Sequence, residues 1–308
     1  MASPRIGWTR GRFVPILGAH MSIAGGYFRA VELAHENGCQ CVQLFTKNNN
    51  QWRAKEITDE DVEKFQSAMA RLGIGFPVAH DSYLINLASP KPSLWDMSVE
   101  AIRIELLRAD KLGIPYVVAH PGAFTESSQH EGIERVIEAL DTVHRQTAGI
   151  KACVLLENTA GQGTSLGWRF EHLGAIIDRA AEPERLGVCI DTCHAFAAGY
   201  PLETGEQYEE TVAELERVVG VDRVKAIHLN DSKQPLGSRV DRHEHIGRGR
   251  LGLEPFRHLL NDPRFSRTPM YLETPKEKID GEEMDVVNLR TLRGLVVADR
   301  AARGTQDG

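Results

Sequence analysis

Residues 186–230 read LGVCIDTCHAFAAGYPLETGEQYEETVAELERVVGVDRVKAIHLN and hold one complete unit of the pattern that organises the chain. The run LGVCID (186–191) is apolar at consecutive rather than alternate positions, as expected of a strand buried on both faces of a parallel sheet. Helical spacing follows near 206–219, and VKAIHLN (224–230) is again a buried strand. Working outward, VPILGAH (14–20), CVQLF (41–45), FPVAH (76–80), YVVAH (116–120) and CVLLEN (153–158) precede this unit, and MYLET (270–274) follows it. Further helices are predicted near 26–37, 131–148, 169–181, 254–261 and 283–302. Thr58 opens the acidic first turn of TDEDVEKFQSAMARLG, and Ser93 opens LWDMSVEAIRIELLRADKLG, which stops at Gly113 with Pro115 beyond. Eight strand–helix units in strict alternation predict an α/β protein, a single-domain (β/α)8 TIM barrel over 13–303, with a doubly wound open sheet as the alternative. Residues 1–12 read as a flexible N-terminal extension, with Arg5, Arg10 and Arg12 offering charge to an anionic partner, and 304–308 as a loose C-terminal tail.

Composition narrows the function classes. With 308 residues, 42% hydrophobic and 26% charged, the chain buries a large core and is not a disordered protein. It lacks an apolar run of about 18 residues, and MASPRIGWTRGRF has no signal-peptide core, so no membrane association and a cytoplasmic location are expected. Five cysteines, with no C-x-x-C pair, argue against a disulfide framework; each is expected to be a small buried hydrophobe. A net charge of −7 counts against holding nucleic acid by bulk charge alone, and does not exclude nucleic acid if bound metal supplies the missing positive charge.

The histidines are distributed unevenly. His35, His130, His144, His172 and His258 fall in predicted helices, where partly exposed surface positions are expected. His20, His80, His120, His194, His228, His243 and His245 lie at or just after the C-terminal ends of predicted strands, joined there by Glu157, Asp191, Asp241 and Glu273. In a barrel those ends converge on one rim, where sites of this fold are built. Imidazoles mixed with carboxylates are a ligand set suited to zinc or a related divalent ion. The spacings in DTCH (191–194) and DRH (241–243) would let each pair hold one ion.

Nine motifs occur in order: GAHMSIAGG (18–26), FTKNNNQW (45–52), HDSYLINLA (80–88), HPG (120–122), LENTAGQG (156–163), DTCHAFAAGY (191–200), HLNDSK (228–233), DRHEHIGRG (241–249) and LETP (272–275). On these motifs the chain resembles the endonuclease IV family of zinc-dependent apurinic/apyrimidinic endonucleases, from Leu17 to Glu273 and beyond. The resemblance implies a barrel holding three zinc ions per chain in a DNA-binding crescent. It implies that His80 and His120 hold one zinc, with Glu157 bridging to a second; that Asp191, His228 and Glu273 complete the second; and that His194, Asp241 and His243 hold the third. His20 is then read as a pocket residue behind the ligands, and His245 as a phosphate contact or loop anchor. Cys193, inside DTCH, is expected to pack inward. Three divalent ions would bring the formal charge close to neutral and concentrate positive density at the rim.

The reaction so implied is hydrolysis of the phosphodiester 5′ to an abasic site in double-stranded DNA, leaving a 3′-hydroxyl and a 5′-deoxyribose phosphate. Water activated between the first two ions would attack, steered by Glu157, the catalytic carboxylate. A monomer is expected. Tyr83 and Leu84 are expected to wedge into the duplex, while Lys47, Lys233, Arg242, Arg248 and Arg250 track its backbone. One position departs from the family: where many members carry an Arg that enters the gap left by the missing base, this chain has Asn50. Two rival readings remain. A metal-dependent sugar isomerase or epimerase on the same barrel type would need only one or two metals, and a metal-free binding module would have lost a ligand.

Overall fold

The structure, a computed structural model, describes residues 14–297; the extension 1–12, its three arginines, and the tail 304–308 lie outside the described residues. The strands are β1 (Leu17–Met21), β2 (Cys41–Phe45), β3 (Gly75–His80), β4 (Tyr116–Ala119), β5 (Cys153–Glu157), β6 (Leu186–Asp191), β7 (Val224–His228), the short β8 (Asp231–Ser232) and β9 (His243–Glu244), and β10 (Met270–Leu272). Eight of them pair in parallel in the closed order β1-β10-β7-β6-β5-β4-β3-β2, while β8 and β9 form an antiparallel hairpin at the rim. A second small hairpin, β11 (Lys278–Ile279) with β12 (Glu282–Glu283), follows the last barrel strand. The TIM barrel expected from the alternation is therefore the observed fold, and the open sheet is excluded by the β1–β10 pairing.

Helices α1 (Tyr27–Glu36), α2 (Asp59–Leu72), α3 (Pro92–Leu112), α4 (Gln129–Gln146), α5 (Phe170–Arg179), α6 (Thr192–Ala198), α7 (Gly205–Val218), α8 (Glu254–Leu260) and α9 (Met284–Gly294) surround the sheet. Their ends obey local chemistry. Thr58 with Asp61, Ser128 with Glu131 and Thr204 with Gln207 form capping boxes that satisfy orphan N–H groups of α2, α4 and α7. Gly113 ends α3 in the left-handed region at φ 77°, where a side chain would be strained. Some boundaries differ from the sequence expectation. Strand β1 begins at Leu17 rather than 14, after Pro15, which has no N–H to donate to a ladder. Helix α3 begins at Pro92 with Lys91 as its cap, so Ser93 lies inside the first turn; proline suits that position because its missing N–H is not needed there.

Side-chain alternation explains why the site sits where it does. Cys41, Val78, Val118, Leu155, Cys189, Ala226 and Tyr271 form a cluster of their own inside the barrel, apart from the larger core between strands and helices. Two residues further along each chain segment stand Gln43, His80, His120, Glu157, Asp191, His228 and Glu273. Residues i and i+2 of a strand point the same way, so filling the lumen with one apolar layer stacks a polar layer directly above it, at the C-terminal mouth. The apolar layer is the floor of the site. Burial of the outer core residues, among them Leu44, Ile102, Leu140, Leu156 and Phe170, stabilises the shell by about 1.5–3 kcal/mol for each large side chain. No helix among the described residues is long and apolar enough to cross a membrane.

Candidate metal centre

Three groups of donor atoms converge at the mouth: His80, His120 and Glu157; Glu157, Asp191, His228 and Glu273; and His194, Asp241 and His243. In the first, Glu157 Oε2 lies 3.3 Å from His80 Nε2 and 3.2 Å from His120 Nε2. In the second, His228 Nδ1 is 2.9 Å from Glu157 Oε1, 3.1 Å from Glu273 Oε2 and 3.9 Å from Asp191 Oδ2. In the third, Asp241 lies 3.3 Å from His194 Nε2 and 3.3 Å from His243 Nε2, and the two imidazole nitrogens are 3.4 Å apart. A tetrahedral ion with bonds of 2.0–2.1 Å holds its ligand atoms about 3.3 Å apart. The donor sets have the spacing of ligands around divalent ions, and Glu157 places one oxygen in each of two neighbouring sets.

The imidazoles are held in ligating orientations by their other nitrogens. His80 Nδ1 donates to the Asp81 carbonyl (3.1 Å), His194 Nδ1 to the Asn158 carbonyl (2.9 Å), His243 Nδ1 to the Glu273 carbonyl (3.1 Å) and His228 Nε2 to Gln43 Oε1 (2.8 Å). Each bond fixes the tautomer that leaves the site-facing nitrogen free as an acceptor, the usual support of a metal-binding histidine. The carboxylates are held too. Asn230 donates to Asp191 Oδ2 (2.6 Å) and accepts from the Glu273 N–H (2.9 Å), and Gln43 Nε2 donates to Glu273 and to His20 Nδ1.

Helix α6 was not foreseen, and it changes how DTCH works. Asp191 is its N-cap, with Oδ1 accepting from the His194 N–H at 2.7 Å, so the three-residue spacing is a helical first turn. Asp191 and His194, which the spacing pairs at one ion, fall into two different donor groups, because the turn sends their donor atoms apart. Asp241 and His243 do share a group. A further grouping joins Cys193 with Asp191 and His243; burial pushes the Cys193 thiol up to about 12, and its Sγ donates to the Arg242 carbonyl at 3.7 Å.

Electrostatics show how strongly the cluster is strained toward charge compensation. Burial alone would lower the pKa of His80, His194 and His228, yet the surrounding carboxylates raise all three. Burial would raise Glu157 and Glu273, yet His228 and its neighbours hold Glu157 well below the usual range and Glu273 at about 2. Divalent cations answer the same demand.

The remaining sequence candidates separate into three kinds. His245 is a loop anchor: it is buried, with Nε2 2.8 Å from Glu277 and Nδ1 accepting from Asn288 (3.1 Å). His20 is pushed down to about 3 by burial and stands against Phe45 with ring centroids 4.3 Å apart. Tyr83 projects at the rim, 67% exposed, beside the half-buried Leu84, and Asn50, Lys233, Arg242, Arg248 and Arg250 are exposed on the surrounding loops. Lys47 does not belong with them. It is buried, with Nζ 3.2 Å from Glu105 of α3 and donating to the Gln51 carbonyl (2.9 Å), which leaves it no reach to a phosphate.

Sequence reasoning missed Gln43, Asn158, Asn230 and Asp231. Asp231 is buried and accepts from the N–H groups of Gly247, Gly249 and Leu251 at 2.9–3.0 Å, so one carboxylate shapes the loop that carries Arg248 and Arg250. A Cβ on Gly249 would lie 2.4 Å from that carboxylate, which is why a glycine stands there.

A family model described as a xylose isomerase-like TIM barrel matches residues 31–293. A protein of Geobacter sp. (strain M21) named probable endonuclease 4 is 49% identical over 281 residues, spanning 91% of this chain and 99% of its own. The chain belongs to the endonuclease IV family. Endonuclease IV from Thermus thermophilus has a similar structure, with a TM-score of 0.80 and 39% identity over 91% of this chain and 98% of that one. Outside the endonuclease IV family, a D-tagatose 3-epimerase-like protein is similar at a TM-score of 0.68 and 19% identity over 90% of this chain and 96% of its own, a likeness of fold alone.

Proposed function

We propose that this endonuclease IV family member is a zinc-dependent apurinic/apyrimidinic endonuclease that hydrolyses the phosphodiester 5′ to an abasic site and leaves a 3′-hydroxyl and a 5′-deoxyribose phosphate. The observation that carries the reading is the set of three donor groups at ligand spacing, two of them sharing Glu157. His80, His120 and Glu157 would hold one zinc, Glu157, Asp191, His228 and Glu273 a second, and His194, Asp241 and His243 a third. When bound, such ions polarise a phosphate and bring the ionisation of water toward neutral pH.

The chain's own residues do the rest. Glu157 sets the distance between the first two sites through its two oxygens, and Gln43 and Asn230 keep His228, Asp191 and Glu273 aimed at the mouth. Tyr83 and Leu84 form the wedge for the duplex. The Ser82 hydroxyl, one residue before them, donates to the Asn49 carbonyl at 2.5 Å and ties the wedge loop to the loop of Asn50. Flipping a sugar is cheapest where a base is already absent, so such a wedge selects abasic sites. Lys233, Arg242, Arg248 and Arg250 supply exposed charge for the flanking phosphates. We propose that the protein acts as a monomer on double-stranded DNA.

End analysis of a labelled abasic duplex tests the reading. Hydrolysis leaves a 3′-terminus that a polymerase extends without further processing. Blocked aldehyde ends as the main product, the outcome of β-elimination, would overturn it.

A further inference from the structure

Asp241 is the most exposed of the nine donors, its side chain 42% accessible, and it stands on a loop between β8 and β9 rather than at a strand end. Something other than the sheet must place it. The loop docks on α6, the helix that presents His194: the Gly237 N–H donates to the Phe196 carbonyl (3.1 Å) and the Arg239 N–H to the Ala197 carbonyl (2.9 Å). Arg239 adopts φ 54°, in the left-handed region that a non-glycine residue keeps only when its surroundings hold it. Its guanidinium carbon lies 3.8 Å from the centroid of the Trp168 ring, a close cation–π stack. Trp168 belongs to the loop after β5. From that same loop Gln162 Oε1 accepts from the Asp241 N–H at 3.3 Å. Gly161 makes room for the ring, since a Cβ there would lie 2.8 Å from Trp168.

We propose that Arg239 and Trp168 form a clasp that positions Asp241 and so completes the third cation site, an inference that rests on the three-site reading above. Neither residue touches the donors of that site among the described contacts; both act through the loop and are positioning residues. The clasp joins the loop that follows β5, whose strand supplies Glu157, to the loop that supplies Asp241. Opening it frees Asp241 while His194 stays fixed by α6 and by its bond to Asn158. The first two sites draw on none of these loop residues and remain intact.

Titration of metal-free protein with zinc against a chromophoric chelator tests this directly, on wild type, Trp168→Ala, Trp168→Phe and Arg239→Asn. Asn tolerates the left-handed region, so Arg239→Asn removes the stack while sparing the backbone, and it serves should Trp168→Ala fail to fold. Wild type is expected to take three ions. Trp168→Ala and Arg239→Asn are expected to keep two with unchanged affinity and to bind the third about tenfold more weakly, with Trp168→Phe restoring it. Three ions of unchanged affinity in both clasp variants would overturn the clasp alone. Fewer than three on wild type would remove the third site, and the inference with it.

Discussion

Gln43 holds His228 by one amide atom and Glu273 by the other, although it sits within the apolar run CVQLF. Replacing it with Leu keeps the bulk and removes both bonds, so the affinity of the second site should fall 10–100-fold, as for other lost supports of metal ligands. Chelator competition measures it, and unchanged affinity would show that Gln43 only fills space. Seven imidazoles and four carboxylates at or just after strand ends were legible as residues of one rim, and the resemblance to the family, not the spacing, narrowed them to the nine that fall into the three donor groups. Gln43, Asn158 and Asn230 were not, because a single buried amide beside a strand end has no periodicity to mark it. Lys47 misled for a related reason: its partner Glu105 lies on α3, and nothing in the local sequence reports that pairing. Asn50 gives a second prediction at this scale. It is exposed beside the wedge loop and is too short and uncharged to fill the gap at an abasic site, so Asn50→Arg should tighten binding to abasic duplex over intact duplex by about 1 kcal/mol. Equal gains on both duplexes, with a salt slope steeper by about 0.9, would mean that the new side chain meets only a phosphate.

Among the elements, the barrel strands were read from continuous apolar runs and the long helices from their spacing and caps. Helix α6 and the two short hairpins were missed because α6 starts at Thr192 directly after β6 ends at Asp191, with no loop to mark it, and the two-residue strands DS, HE, KI and EE carry no apolar run. Helical position also misplaced two histidines. His144 of α4 and His172 of α5 are not surface residues but buried, 1% and 2% exposed, and His144 finds no hydrogen-bond partner for either nitrogen among the described residues. Burial, helped by Arg185 and Arg169 respectively, pushes both down to about 4. In the unfolded chain they titrate near 6.5, so the unfolded state binds more protons between pH 6.5 and 4. Their contribution to stability is complete above pH 7 and is lost as pH falls through that window, by about 2 kcal/mol per imidazole at pH 5. Urea unfolding at pH 7.5 and pH 5 should therefore show a smaller loss for His144→Leu than for wild type, by about that amount. Equal losses would mean that folded His144 takes up its proton as freely as the unfolded chain.

Across the whole molecule, a chain of net charge −7 places four carboxylates and five imidazoles within one mouth, above an apolar floor that excludes water from below. Bulk charge does not draw such a protein to DNA; on the proposed reading, cations held by the donor groups would do so, by reversing the local field where phosphate would lie. Fold, charge and proposed substrate are therefore consistent only if the donor groups are filled. The barrel alone leaves this open, since a D-tagatose 3-epimerase-like protein has a similar fold at 19% identity. Elemental analysis of the purified protein, scaled to chain concentration and checked against cleavage of an abasic duplex without added magnesium, tests the centre of the account. About three zinc ions per chain are expected in the active protein, one for each donor group. A reproducible value of one or less in protein that still cuts would contradict it.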